Sequence, residues 1–527
     1  MKVHDALMSK PFVQYILPSL FLLILAIVIT PLTFRSLWID EAMLMASFPL
    51  NSVLDVLHAL PHYAQAGAPI HNLFLHLFSE TNVQLTRHVS FVVIIAATLI
   101  CIGILNASFF QIVLTFAAVL SSYTILFYAT ELKHYGFEII GVALAIGWFL
   151  RKDPQKTLVL KDVGILTLSM VLGISTLIVS GIALAIYLVE NLISQKKIQI
   201  KNIAYGCIFL LLTTAYYLLI KELTYFQISS YPDAYQGKGL DAVIQLLKTT
   251  YQVFGGLPVF VALLVAFSAL IFKIKNKTVL RFFLLISVVL GSIIVLNFIG
   301  LYPVARVRHL VWLTAVGLFV FYLVGKNLPD DRRIKGVVIV ALLCLLSFPS
   351  LKNTYSVLIN QGAFENTQNN DAISWLLEQN STYVGLWIGA QPAVDAYKVR
   401  SDDLDKHQYF GIRNSASAES TILSYGSFIE GAKDIESDRN KPGSFTASGG
   451  FYRLHKNYVQ MAVSFVEEAP KGQSFYIFAS HLDYGADKGF AKYRFNALID
   501  ELNAQDCQYT TEFEAKRVFI LEVLCSE

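Results

Sequence analysis

Within the first 350 residues, long apolar runs follow one another with polar breaks between them. They lie at roughly 14–34, 89–106, 108–128, 136–150, 163–177, 178–193, 202–220, 252–272, 279–300, 309–325 and 335–350. A helix needs about twenty apolar residues to cross a bilayer core, where no water is present to satisfy unpaired amides. The runs therefore predict a polytopic α-helical membrane protein with about eleven transmembrane helices. Composition agrees: 55% of the 527 residues are hydrophobic and 15% are charged, where a soluble domain carries about a quarter. Charge is also uneven. Residues 1–350 hold 25 Lys and Arg against 15 Asp and Glu, whereas residues 351–527 hold 16 against 23. Charge density doubles near residue 350 and the net charge changes sign, which predicts a membrane domain at 1–350 and a soluble domain at 351–527. The overall charge of +3 averages two unlike parts and gives no ground for a nucleic-acid partner.

The first run is too long for a signal peptide and lacks a small-residue cleavage site. The short runs that meet around Ser175 to Ser180 read as a broken or re-entrant hairpin. With the N-terminus in the cytoplasm, one set of loops gathers 17 of the 25 basic residues before the tail, among them Arg151, Lys152, Lys196, Lys197, Arg332 and Arg333. Basic residues favour the cytoplasmic side, and an odd number of spans then puts 351–527 outside. The long outer loops are 35–88 and 221–251. In the first, LNSVLDVLHAL and PIHNLFLHLF have the spacing of helices lying along the membrane surface.

The tail alternates helix-like and strand-like segments: DAISWLLEQ, TYVGLWIG, PAVDAYKV, then QSFYIFAS and FNALIDELNAQ. That is an α/β pattern. No glycine-rich phosphate loop follows either strand, so nucleotide binding has no support. The stretch GAKDIESDRNKPGSFTASGG reads as a loop. Cys101, Cys207 and Cys344 fall inside apolar runs and read as inert core residues. Cys507 and Cys525 bracket a hairpin-like segment, which leaves a disulfide open if the tail is extracytoplasmic.

Charge at a membrane boundary is costly and is functional by default. Asp40 and Glu41 follow the first span in FRSLWIDEAM, close to Arg35. Arg87 opens the second span. Glu131, Lys133 and His134 lie in YATELKHYGF, and Arg306, Arg308 and His309 in LYPVARVRHL. The sidedness assigned above places all of them at the outer face. His62, His71, His76 and His88 have no tight ligand spacing that would argue for a metal.

An Asp-Glu pair in SLWIDEA directly after a first transmembrane helix resembles the signature of the GT-C glycosyltransferases. The chain is similar to the protein O-mannosyltransferase, aminoarabinose transferase and lipopolysaccharide galacturonosyltransferase branches. AGAPIHNLFLHL resembles the family's Pro-Pro-Leu-Tyr-like segment, LTRHVSF its Arg at the second helix, and ELKHYGF its Glu-x-Arg-x-Tyr-like segment. The order of these segments fits as well, over residues 1–350. There are departures. Ala68-Pro69 replaces a double proline, His71 stands where an aromatic is usual, and Lys133 where Arg is common, which loses the bidentate fork but keeps the charge.

The resemblance implies an integral enzyme of the cell inner (plasma) membrane that takes a sugar from a polyprenyl-phosphate donor at the outer face. Its acceptor would be an envelope lipid, glycan or protein. It implies Asp40 as general base, with Glu41 orienting the acceptor, tuning Asp40 or helping to hold a divalent metal, the one cofactor left open. Lys133, Arg306 and Arg308 would hold the donor phosphate, with Arg87 either on the phosphate or bracing the Asp-Glu loop. Glu131, His134, His309 and His71 would support them. A single displacement predicts inversion at the anomeric carbon. A flippase for lipid-linked glycans would need charge through the membrane depth, whereas the acidic and basic residues singled out here gather at one face, with Glu138 read as the one set inside a span. A glycan polymerase or ligase, or an inactive relative that binds an envelope partner, are the other readings.

Overall fold

The computed structural model describes residues 12–47, 53, 68–78, 81–230, 240–272, 275–327, 332–359, 368–380, 382–387, 390–398, 401–411, 462–463, 465–480 and 490–526. All eleven apolar runs fold as helix. After a π turn at Phe12–Ile16, α1 (Leu17–Val28) leads through a short turn to α2 (Ile39–Ser47) and α3 (Pro69–Leu77). The bundle continues with α4 (Val83–Ile102), α5 (Phe109–Ser121), α6 (Tyr123–Thr130), α7 (Tyr135–Arg151), α8 (Leu160–Met170), α9 (Ile174–Gln195) and α10 (Ile200–Ser230). It closes with α11 (Leu240–Val253), α12 (Leu257–Ile271), α13 (Lys277–Phe298), α14 (Leu313–Asn327) and α15 (Arg332–Ile359).

Among the described residues, five helices are long and apolar enough to cross a membrane, or seven if each bent pair is one crossing. The bent pairs are α5 with α6, at 74°, and α11 with α12, at 104°. That is fewer than the eleven expected, because runs such as those of α8 and α14 fold into helices of 11 and 15 residues. Local chemistry explains several ends. Asn82 Oδ1 accepts the Gln84 amide to cap α4, and Gly103 closes the same helix at φ 104°. Ser108 and Gln111 form a capping box at α5.

Three sequence readings change. The expected hairpin break at Ser175–Ser180 lies instead at Val171–Gly173, and both serines sit inside α9. The expected outer loop 221–251 is largely helical, since α10 runs on to Ser230 and α11 begins at Leu240. Cys207 and Cys344 are not core residues; they lie on exposed faces of α10 and α15. Apolar side chains such as Leu211, Ile193 and Phe298 are likewise exposed on the bundle's helices, as lipid contact requires. The LNSVLDVLHAL helix, His62 and the 431–450 loop lie outside the described residues.

Helix α7 is the bundle's central strut. Most of its residues are buried, and it packs against α4, α8, α9 and α14. A Cβ at Gly141 would press on the Ser169 carbonyl and Thr176, so glycine is what lets α8 and α9 approach so closely. At one end of α7, Arg281 binds Glu190 at 2.9 Å and the Lys152 carbonyl at 2.9 Å. At the other end lies the acidic and basic cluster.

The tail forms a five-stranded mixed sheet, in the order β2-β1-β3-β5-β4. The strands are β1 (Tyr383–Trp387), β2 (Gln408–Gly411), β3 (Ser474–Ser480), β4 (Gln508–Ala515) and β5 (Val518–Leu524). β1 pairs in parallel with β2 and β3, and β5 is antiparallel to β3 and β4. Helices packed with the sheet include α16 (Asn369–Glu378), α17 (Ala390–Lys398) and α18 (Phe490–Ala504). A Cys507–Cys525 disulfide closes the base of the β4–β5 hairpin.

Candidate active site

The site forms where α2, the start of α4, the turn between α6 and α7, and the 300–309 segment meet. Its two adjacent carboxylates have opposite fates, because successive side chains on a helix diverge by about 100°. Glu41 points inward and is fully buried. Its Oε2 meets Arg87 Nη2 at 2.7 Å, its Oε1 meets Arg35 Nη2 at 3.5 Å, and Oε1 also accepts the Leu132 amide at 2.8 Å. Asp40 points outward. Its Oδ2 lies 3.2 Å from Arg308 Nη1, and these side chains keep 25% and 26% of their exposure. Of the ion pairs at this end among the described residues, only this one remains open to a ligand.

Arg87 is spent on the loop that presents the carboxylates. Besides Glu41, its guanidinium donates to the Thr33 carbonyl at 3.1 Å and to the carbonyls of Arg35 and Ser36. This is the bracing arrangement of the two its position allowed. Arg35 donates to Thr130 Oγ1 at 2.9 Å and stacks over Phe127 at 4.3 Å. It belongs to the site's frame, a role that its place beside Asp40 and Glu41 in the sequence did not specify.

The 131–134 turn supplies the next group. Glu131 and Lys133 are buried. Burial, with the Glu41 carboxylate beside it, pushes the Glu131 carboxyl up to about 8. Burial also lowers Lys133, with Arg308 adding to the shift and Asp40 opposing it. His134 is half-buried, and burial together with Lys133 and Arg308 lowers it to about 3. His309 falls well below the usual imidazole range by burial and by the Arg308 charge beside it. Arg306 is exposed at the start of the same turn.

His71, in the first turn of α3, is buried with its ring against Phe137 at 5.1 Å and His134 at 6.4 Å. Burial, His134 and Lys133 hold it well below its ordinary value. The surroundings of these three histidines thus disfavour the imidazolium form, with Lys133 and Arg308 close by. His88 serves structure instead, contacting Thr30 Oγ1 and the Gln84 carbonyl. Among the described residues, no three His, Cys, Asp or Glu side chains gather as a metal site.

The tail also reaches this site. Asn369, buried at the start of α16, donates from Nδ2 to the Leu37 carbonyl at 3.0 Å and accepts from Ser480 Oγ at 2.5 Å. The Asn370 amide donates to Ser36 Oγ at 3.0 Å. Ala396 and Tyr397 of α17 pack in one apolar cluster with Leu37, Ala42, Met45 and Leu132. No sequence signal pointed to Asn369, because an asparagine opening a soluble helix is common and its partner is 332 positions away.

Helical bundle, mixed-sheet tail and a charge cluster at one end of the bundle define the class: a polytopic helical protein with, among the described residues, five to seven crossings long and apolar enough for a membrane. In particular, the chain has the fold of ArnT from Cupriavidus metallidurans. The structure of that protein bound to undecaprenyl phosphate matches with a TM-score of 0.53 and 11% identity, covering 96% of this chain and 97% of that one. Its apo structure matches with a TM-score of 0.53 at 12% identity, with the same coverage. No protein-family model matches the sequence, and no curated protein matches it.

Proposed function

We propose that this protein is a membrane glycosyltransferase that moves a sugar from a polyprenyl-phosphate donor to a cell-envelope lipid, glycan or protein. The observation that carries the reading is the open Asp40–Arg308 pair, 3.2 Å apart, beside a Glu41 sealed behind it. A base and a phosphate-binding cation are then neighbours at the membrane edge. Asp40 takes the proton of an acceptor hydroxyl or amine as that group attacks the anomeric carbon. The bond from that carbon to the phosphate oxygen breaks, and the phosphate leaves with the electron pair. Arg308, Lys133 and Arg306 hold its growing charge in a partly dehydrated place where such contacts count most. One displacement inverts the anomeric carbon. Glu41 and Arg87 fix the loop, and His71, His134, His309 and Glu131 line the donor side.

The same reading puts the N-terminus in the cytoplasm and the tail outside an inner membrane, and the Cys507–Cys525 disulfide supports that side for the tail. The fold of a protein solved with undecaprenyl phosphate supports the donor class. The test offers purified protein a panel of polyprenyl-phosphate sugars with membrane extract as acceptor. Transfer by wild type that vanishes in a folded Asp40→Asn variant, with an inverted linkage by NMR, is the expected result. Turnover undiminished in Asp40→Asn removes Asp40 as base, and a retained linkage removes the single displacement.

A further inference from the structure

One buried carboxyl takes no part in this chemistry. Glu138, in the first turn of α7, is 3% exposed and pairs with no cation among the described residues. Its Oε1 accepts the amides of Ile174 and Ser175 at 3.1 and 3.4 Å, at the start of α9. A Cβ at Gly173 would collide with the Glu138 side chain, so only glycine admits this approach.

From Glu138 a line of short contacts runs through the start of α9 to the 300–309 segment. Glu138 Oε2 and Ser175 Oγ are 2.7 Å apart, Ser175 Oγ and Tyr302 Oη 2.7 Å, and Tyr302 Oη and the His309 carbonyl 2.7 Å. Trp312 Nε1 donates to Tyr302 Oη at 3.0 Å, and Asn297 Nδ2 to the Tyr302 carbonyl at 2.7 Å. The line ends on the backbone of the segment that carries Arg306, Arg308 and His309.

The protons can be counted. Three oxygen–oxygen contacts share two hydroxyl protons, because Trp312 brings its own. If Ser175 donates to an ionised Glu138 and Tyr302 donates to His309, the Ser175–Tyr302 contact is left with no proton and opposed lone pairs. A proton on Glu138 Oε2 fills all three: Glu138 donates to Ser175, Ser175 to Tyr302, and Tyr302 to the His309 carbonyl. The amides at the start of α9 favour a carboxylate, but a carbonyl oxygen accepts them too. A buried carboxylate without a cation is the costlier arrangement.

We propose that Glu138, as a neutral carboxylic acid, is a positioning residue that fixes the 300–309 segment through Ser175 and Tyr302, and so sets Arg308 against Asp40. Its effect on transfer rests on the glycosyltransferase reading, but the network itself does not. The full-length protein in nanodiscs is compared with Glu138→Gln, Glu138→Leu and Tyr302→Phe. A glutamine amide still donates to Ser175 and accepts the two backbone amides, so Glu138→Gln keeps transfer within about threefold of wild type. Glu138→Leu and Tyr302→Phe lose about tenfold or more, as loss of buried hydrogen bonds implies. Rescue by glutamine but not by leucine is the readout that mere space-filling would not give.

Two further measurements need no activity. Infrared spectroscopy at neutral pH should show a protonated-carboxyl band that disappears in Glu138→Gln, and a spectrum unchanged by that substitution overturns the neutral form. Hydrogen exchange of residues 300–310 should accelerate in Glu138→Leu, and exchange equal to wild type overturns the positioning role. A wild type that transfers no sugar sinks the glycosyltransferase reading, while the infrared and exchange results still judge the network.

Discussion

Two arginines and two backbone amides converge on Glu41, and the cost of disturbing that carboxylate differs sharply from the cost at its neighbour. Glu41→Gln leaves Arg87 buried with its countercharge removed, a loss of about 3–5 kcal/mol by analogy with other broken buried pairs. Its melting temperature in detergent should fall clearly below wild type. Asp40→Asn removes a carboxylate that is partly solvated, so its melt should stay near wild type while transfer is lost. Equal melts for both variants would mean that Glu41 is not the anchor. Glu131 gives a pH signature. Its carboxyl rises from an ordinary 4.5 to about 8, so the folded state holds a proton that the unfolded chain releases between those values. Its stabilising contribution is present below 4.5 and fades as pH climbs through that window. A Glu131→Gln variant should therefore show a flatter dependence of melting temperature on pH across the window than wild type.

At the level of elements, periodicity and apolar length carried most of the fold. The eleven runs became helices because a long apolar stretch has no cheaper way to satisfy its amides in lipid. The tail's strands at Tyr383 and Ser474 and the helix at Asn369 fell where alternation and amphipathic spacing put them. Two things stayed hidden. A run of apolar residues does not say where it bends, so Ser175 and Ser180 looked like a break that Gly173 in fact makes. A run also does not say which side meets lipid, so Cys207 and Cys344 looked like core. The site's charged residues were visible because charge at a membrane edge is rare. What each one touches was not, and the separate fates of Asp40 and Glu41 follow from a helical turn that composition cannot show. The contact between α16 and the 36–37 backbone yields its own test. Asn369→Ala should speed hydrogen exchange at residues 36–47 and lower transfer about tenfold, as loss of a buried hydrogen-bond hub implies. Unchanged exchange there would show that α2 holds its place without the tail.

Across the whole molecule, the disulfide and the sidedness of charge make a joined prediction. The Cys507–Cys525 bridge closes a short loop, and such closures contribute about 2–4 kcal/mol. Cys525→Ser should lower the tail's resistance to protease while leaving the membrane bundle intact, as limited digestion would read. A reporter enzyme fused after the tail should be active only outside the cytoplasm, and cytoplasmic activity would reverse the assigned orientation.

Asn369 and α17 carry one more consequence, and it concerns birth rather than catalysis. The loop before Asp40 is among the first segments made, and Arg87 follows it soon, yet other groups that grip it are made hundreds of residues later, one partner lying 332 positions downstream. A nascent chain can insert its helices and still lack a finished reaction centre until its last third has been delivered and folded against them. The site is thus unfinished while the chain is still on the ribosome and, on the glycosyltransferase reading, a prematurely ended copy would occupy the membrane without consuming donor lipid.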